Sequence, residues 1–238
     1  MPAAGFMDLD QACADPSHPA PHMVPSASRF AAAMSAQGVV RERPVVVYDS
    51  LGLFSAARAW WLLQAMGHEQ VAVLNGGLPA WQRAGLPVNT SAPRDIEPSR
   101  YSARWRAQRC CDAETVLASL AQPRVRVIDA RGAARFAGRV AEPRPGVRAG
   151  HIPGSVNLPF DRLLVQGRLR PQAELRAAFE AVGATAQHRL IFSCGSGVTA
   201  CVLALAAQQA GYTDWSVYDG SWSEWGAEPS LPLAVGEE

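Results

Sequence analysis

The segment SCGSGVTACVLAL, Ser193 to Leu205, sets Cys194 between the apolar run LIFS and two glycines, Gly195 and Gly197, ahead of an apolar stretch with helical character. A strand that turns into a helix through so short a loop lets several backbone N–H groups point at one spot. Such a cradle at a helix N-terminus stabilises an anion. It would stabilise a Cys194 thiolate. Position alone leaves two readings open, a nucleophile and a buried structural cysteine. Cys201, on one face of the following helix, reads as core. A related use of such a loop is phosphoryl transfer, which needs an Arg six residues after the nucleophile to hold phosphate. That position is Ala200, so phosphoryl transfer is disfavoured.

The elements that position this loop alternate along the chain. RFAAAMSAQGV is helical, PVVVYDS is a short apolar strand, LFSAARAWWLLQAMG is a helix closed by Gly67, and QVAVLNGG is the next strand. Strands joined by helix-length crossovers require a parallel sheet. The polar, Pro-bearing run from Val88 to Asp112 interrupts the pattern and reads as an inter-domain linker. After it come AETVLASLA (helix), VRVIDAR (strand), GHIPGSVNLP (loop and short strand), PQAELRAAFEAVG (helix), RLIFSC (strand), VTACVLALAAQQAG (helix) and DWSVYDG (strand).

The second half repeats the first. LNGGLPAWQRAGLPV lies over YDGSWSEWGAEPSLPL, with Gly76 on Gly220 and Trp81 on Trp225, and PVVVYDS lies over RLIFSCG. An offset of about 144 positions is far beyond solenoid periods and describes two copies of one α/β domain. The copies are unequal. Asp49 occupies the place of Cys194, so only the second half can use a thiol there. The expected organisation is a truncated, inactive first domain over 1–90, a linker over 91–112 and a catalytic domain over 113–238. The first copy starts at a point matching only IPGSVNLPF of the second, so its opening strand and helix are expected to be missing.

Composition bounds the partners. Charged residues make up 18% of the 238 and the formal net charge is +1, so no global field draws the protein to nucleic acid or to a membrane surface. All 22 basic residues are Arg, which removes lysine Schiff-base chemistry. The five cysteines, Cys13, Cys110, Cys111, Cys194 and Cys201, have neither paired C-x-x-C spacing nor a His at zinc-finger distance, so neither a disulfide framework nor structural zinc is supported. No run approaches the roughly 18 apolar residues of a membrane span, and the N-terminus lacks a signal-peptide pattern. The expectation is a soluble cytoplasmic protein.

Taken together, CGSGVTA, GHIPGSVNLP, YDGSWSEWG and EPRPG resemble the two-domain rhodanese-like sulfurtransferases, from about Phe6 to the C-terminus. The resemblance implies two tandem rhodanese-like domains, each a parallel sheet flanked by helices, with the second catalytic through a cysteine that carries sulfur as a persulfide. Members that prefer thiosulfate carry basic residues directly after the cysteine. Gly195 and Ser196 stand there instead, which resembles the branch acting on 3-mercaptopyruvate. The resemblance assigns substrate binding to Arg135 and Arg144, whose planar guanidinium groups can grip a carboxylate through two parallel hydrogen bonds. The loop residues Gly195, Gly197, Val198 and Thr199 complete the expected pocket. It further implies a proton relay of Ser196, His22 and Asp10 beside Cys194, with His22 able to titrate near neutrality.

No metal or organic cofactor is implied, because the cysteine is itself the carrier. The expected partners are 3-mercaptopyruvate and a thiol acceptor such as thioredoxin or a low-molecular-weight thiol, with cyanide as a substitute. Two rivals stand beside this reading: a sulfurtransferase preferring thiosulfate, and a non-catalytic rhodanese-like module. His151 and Asp129 read as structural, Trp60 and Trp61 as core or interface, and Asp219, Ser221 and Trp222 as supports behind the loop.

Overall fold

The computed structural model describes residues 1–2, 4–89 and 96–236. It divides into two compact units, Met1–Arg106 with Gln166–Arg168, and Ala107–Val165 with Leu169–Glu238. Among the described residues no helix is long and apolar enough to cross a membrane.

In the first unit, helix α1 (Ala27–Ala36) is followed by strand β1 (Val45–Val47), helix α2 (Ala56–Ala65), strand β2 (Val71–Val73) and helix α3 (Gly77–Arg83). The two strands pair in parallel, with Val45 opposite Val71. Ser26 caps α1 by accepting the Arg29 N–H. Helix α2 is apolar on almost every face, and Trp60, Trp61, Leu62 and Leu63 are all buried. Side chains of that size each contribute about 1.5–3 kcal/mol when fully buried. Arg58 is buried with them. Its guanidinium lies 4.5 Å from the Trp61 ring centroid and donates to the His22 carbonyl. The helix ends as its sequence indicates, with Gly67 at φ 83°.

Of the expected linker over 91–112, residues 91–95 lie outside the described residues. The stretch after them is held in place. Tyr101 is buried, stacks on His68 and meets Phe30 edge-on, while the Arg104 and Arg106 amides donate to Met66 and Ala65 carbonyls at the end of α2. Cys110 and Cys111 then enter the sheet of the second unit.

In the second unit a 3-10 turn leads into β3 (Cys110–Cys111), followed by α4 (Ala113–Ser119), β4 (Val125–Asp129), α5 (Ala133–Phe136) and β5 (Val156–Asn157). Two short strands, β6 (Leu164–Val165) and β7 (Arg168–Leu169), form a small separate sheet. Helix α6 (Gln172–Ala181), β8 (Arg189–Ser193), α7 (Ala200–Ala210), β9 (Trp215–Tyr218) and α8 (Ser221–Trp225) complete the chain. The main sheet is parallel, in the order β3-β9-β8-β4-β5. Strand β8 is buried along its inner residues, as its uninterrupted LIFS run requires of a sheet covered on both faces.

This order decides where the site falls. From β8 the chain goes to β9 on one side, and from β4 it goes to β5 on the other. The loops leaving β8 and β4 therefore diverge, and their carboxyl ends flank the crevice in which open α/β sheets bind ligands. Asp129 and Ser193 are paired in register at that edge. The buried alanines and Cys201 of α7 let the helix pack closely on the sheet, and Gly211 closes it at φ 93°.

Candidate active site

Cys194 is the first residue beyond β8, in the middle of the sheet, and is only 1% exposed. Burial by itself fits either reading of this cysteine, so its surroundings decide. The loop is held from the turn after β9. Ser221 Oγ accepts the amides of Cys194 and Gly197, each at 3.1 Å, donates to the Tyr218 carbonyl at 2.8 Å, and lies 4.0 Å from Cys194 Sγ. The Trp222 amide donates to the Cys194 carbonyl at 3.0 Å, and the Ser223 amide to the Gly195 carbonyl at 2.8 Å. Ser223 Oγ bonds the same Gly195 carbonyl.

The N–H cradle expected for the thiolate is thus narrower than its sequence suggests. The Cys194 and Gly197 amides are spent on Ser221 and are not turned toward the sulfur as donors. Thr199 stands at the N-cap of α7, and its side chain makes no capping bond. Cys201 is buried and donates its thiol to the Gly197 carbonyl at 3.1 Å, which places it beneath the loop as core.

Ser221 sits at φ 50° in the left-handed region, unfavourable for a side chain. The repeat explains the conformation. Gly77, its counterpart in the overlay, has φ 53°, and a Cβ there would lie 2.5 Å from the Asp49 carbonyl. The first copy meets this demand with glycine, and the second places a hydroxyl there and uses it.

The first unit also shows what the loop does with a negative charge. The Asp49 carboxylate accepts the amides of Leu51 and Gly52 at 2.9 Å each on one oxygen, and those of Phe54 and Ala56 at 2.7 and 2.8 Å on the other. A strand-to-helix turn of this sequence pattern is an anion cradle, filled in the first copy by its own aspartate.

Arg135 and Arg144 both reach the Cys194 loop. The Arg135 guanidinium lies against Gly195 so closely that a Cβ on that residue would come within 3.0 Å of Nη2. Arg144 Nη1 donates to Ser223 Oγ at 3.3 Å, one link from the Gly195 carbonyl. Behind them Arg131 is buried, bound to both oxygens of Asp129, to Glu142 and to the Gly150 carbonyl, with its guanidinium 4.6 Å from the Trp222 ring centroid. The paired carboxylates hold the Arg131 guanidinium firmly in its charged form despite burial. Asp129 therefore serves structure, as expected. So does His151, buried, stacked on Phe136 and bonded through Nδ1 to its carbonyl.

Of the expected relay, Asp10 and His22 meet in the first unit, Oδ1 to Nδ1 at 3.0 Å, and Ser196 belongs to the half-buried part of the second unit's loop. Ser221, Ser223 and Glu142 are the site residues that sequence reasoning missed or placed only in the background. The overlay of Gly77 on Ser221 carried a signal for the first.

Residues 16–84 and 112–228 match the rhodanese-like domain. The 3-mercaptopyruvate sulfurtransferase of Escherichia coli (strain K12) is 42% identical over 233 residues, covering 98% of this chain and 82% of that protein. The mitochondrial thiosulfate/3-mercaptopyruvate sulfurtransferase 1 of Arabidopsis thaliana is 39% identical, over 98% of this chain and 67% of that protein. The solved structure of SseA from Escherichia coli, a 3-mercaptopyruvate sulfotransferase of rhodanese fold, superposes with a TM-score of 0.85 at 39% identity, over 93% of this chain and 82% of that one. The chain belongs to the rhodanese-like family. Within it, the chain is a sulfurtransferase of the two-domain kind, an enzyme and not a binding module.

Proposed function

We propose that the protein moves the sulfur of 3-mercaptopyruvate to a thiol acceptor through a persulfide on Cys194. The observation that carries this reading is the Arg135 guanidinium packed against Gly195, the residue next to the thiol. It supplies a carboxylate-binding cation within one residue of the nucleophile, on a loop with no basic side chain of its own.

In the first half-reaction the Cys194 thiolate attacks the substrate sulfur while Arg135 and Arg144 hold the substrate carboxylate. An S–S bond forms and the C–S bond breaks. Its electron pair passes to the substrate carbon and is delocalised as the pyruvate enolate, which takes a proton and leaves as pyruvate. In the second half-reaction a thiolate acceptor attacks the outer sulfur and the Cys194 thiolate is regenerated; cyanide does the same and yields thiocyanate. The amides of Ser196, Val198 and Thr199 hold the persulfide anion between the two steps, as four amides hold Asp49 in the first copy.

The test is pyruvate release from 3-mercaptopyruvate with a thiol acceptor present, for the native chain and for Cys194→Ser. Rapid release that the variant lacks, with a sulfur added to the Cys194 peptide by mass, is expected. No release from folded native protein overturns the reading. Thiosulfate, named for the Arabidopsis relative, is the second donor to compare. Proton handling by Ser196, His22 and Asp10 rests on the resemblance, with the Asp10–His22 pair as its support. His22→Gln and Asp10→Asn are expected to slow pyruvate formation without adding to one another.

A further inference from the structure

Four charged side chains form one connected series at the carboxyl end of β4. Asp129 binds Arg131, Arg131 binds Glu142, and Glu142 binds Arg135. The first three are buried, and Arg135 is 32% exposed, so the series runs from the interior to the guanidinium beside Gly195. Glu142 is the carboxylate that the two arginines share. Its Oε1 accepts from Arg131 Nη1 at 2.8 Å and from Arg135 Nε at 3.2 Å, and its Oε2 accepts from Arg135 Nη2.

Two things follow from this geometry. The Nε–Nη2 edge of Arg135 is committed to Glu142, which leaves the Nη1 side for a ligand. Glu142 also offsets the Arg135 charge where it matters, because its side chain is 3% exposed and water screens the pair poorly. Counting Arg144 with the series, three guanidinium groups stand against the two carboxylates Asp129 and Glu142, an excess of one positive charge beside the Cys194 thiolate. One positive charge suits a monocarboxylate. A dianion such as thiosulfate is left half compensated when it loses its water.

We propose that Glu142 sets the charge preference of the site, holding Arg135 as a partly neutralised cation and thereby favouring a monoanionic sulfur donor over a dianionic one. The inference rests on the reading of Arg135 as a carboxylate-binding group. Glu142 acts through Arg135 and is a positioning residue. Selectivity of this kind is a difference between two affinities, and a withheld charge weakens the binding of one ligand more than the other.

Two variants separate charge from reach. Glu142→Gln keeps the side-chain shape and removes the charge; Glu142→Asp keeps the charge and shortens the arm. The measurement is kcat/KM for 3-mercaptopyruvate and for thiosulfate, with cyanide as acceptor, alongside Arg135→Ala. Glu142→Gln is expected to raise the thiosulfate to 3-mercaptopyruvate ratio about tenfold. Glu142→Asp is expected to raise both KM values and leave the ratio within about twofold. A ratio unmoved in Glu142→Gln, or moved equally in both, overturns the inference. Arg135→Ala with unchanged 3-mercaptopyruvate kinetics removes the substrate reading and this inference with it, whereas dependence on Arg135 without the Gln/Asp contrast overturns the role of Glu142 alone. The native enzyme gives a check that needs no variant: pyruvate should compete with 3-mercaptopyruvate more strongly than sulfate does, and the reverse order overturns the proposal.

Discussion

Ser221 and Cys194 are joined through the backbone more than through the sulfur. The Ser221 hydroxyl accepts the Cys194 amide at 3.1 Å and donates to the Tyr218 carbonyl, and the sulfur lies 4.0 Å away. One oxygen thus ties the turn after β9 to the loop after β8, and it does so from a residue at φ 50°. The hydroxyl fixes where the sulfur sits relative to the helix α7 N-terminus, and with it the direction in which the loop amides point.

Two substitutions at this position have opposite merits. Ser221→Gly loses the hydroxyl and relieves the left-handed strain, whereas Ser221→Ala loses the hydroxyl and keeps the strain. Each leaves the buried Cys194 and Gly197 amides without their acceptor, about 1–3 kcal/mol per orphaned group. Ser221→Ala is expected to unfold at lower urea concentration than Ser221→Gly, by about 1 kcal/mol, and both are expected to lose activity about tenfold or more. Equal stability for the two variants would show that the strain at residue 221 is not felt.

Gly195 is predicted to be sensitive for a different reason. A methyl group there meets Arg135 Nη2 at 3.0 Å, and the guanidinium is the free end of a flexible side chain, so it moves aside without unfolding the loop. Gly195→Ala should therefore raise KM for 3-mercaptopyruvate several-fold while the melting temperature stays close to that of the parent. A variant with unchanged KM would mean that Arg135 does not read the substrate from this place.

The sequence pattern already contained the alternating elements, the end of α2 at Gly67 and the strand-to-helix turn at Cys194, because each is written in contiguous residues. The two-copy organisation was legible too, since Gly76 and Trp81 recur as Gly220 and Trp225 at a fixed offset. Ser221 was legible only as a support behind the loop; its left-handed backbone was not, because the demand for positive φ shows in sequence plainly only where glycine meets it, and here serine does. Glu142 escaped for another reason. Its partners Arg131 and Arg135 lie 11 and 7 residues away through an irregular loop, where no helical or strand period signals contact. Arg135 was assigned to the substrate by resemblance, and the carboxylate it shares with Arg131 became visible only in three dimensions.

Two of the thiols outside the proposed chemistry, Cys13 and Cys111, give a pH prediction. Burial pushes Cys13 up to about 11 and Cys111 up to about 12, from an ordinary thiol value near 9. The folded state thus keeps both protons where the unfolded chain releases them. Stability from this source is fully present below about pH 9 and falls as pH rises toward 11 and 12. Urea midpoints measured from pH 8 to 10.5 should decline above 9, and Cys13→Ala should flatten part of the decline. Alkylation of the native protein at pH 8, mapped by peptide mass, should spare both residues. Rapid labelling of either would show that its site opens on the time scale of the reaction.

Asp49 allows the cradle itself to be weighed away from any catalysis. Its carboxylate takes the four amides of Leu51, Gly52, Phe54 and Ala56, and the last of these belongs to the first residue of α2. Negative charge at a helix N-terminus is stabilising, and hydrogen bonds to an ionised acceptor are stronger than those to a neutral one. Asp49→Asn retains an oxygen acceptor and loses the charge, and it should cost about 1–2 kcal/mol. Asp49→Ala leaves the turn without an acceptor and should cost about 2–4 kcal/mol. Hydrogen exchange read at those four amides should quicken in that order, ahead of amides in the second unit. If Asp49→Ala instead left their protection intact, the amides would be ordered by the turn alone, and the same turn at Cys194 could not be credited with holding a persulfide anion.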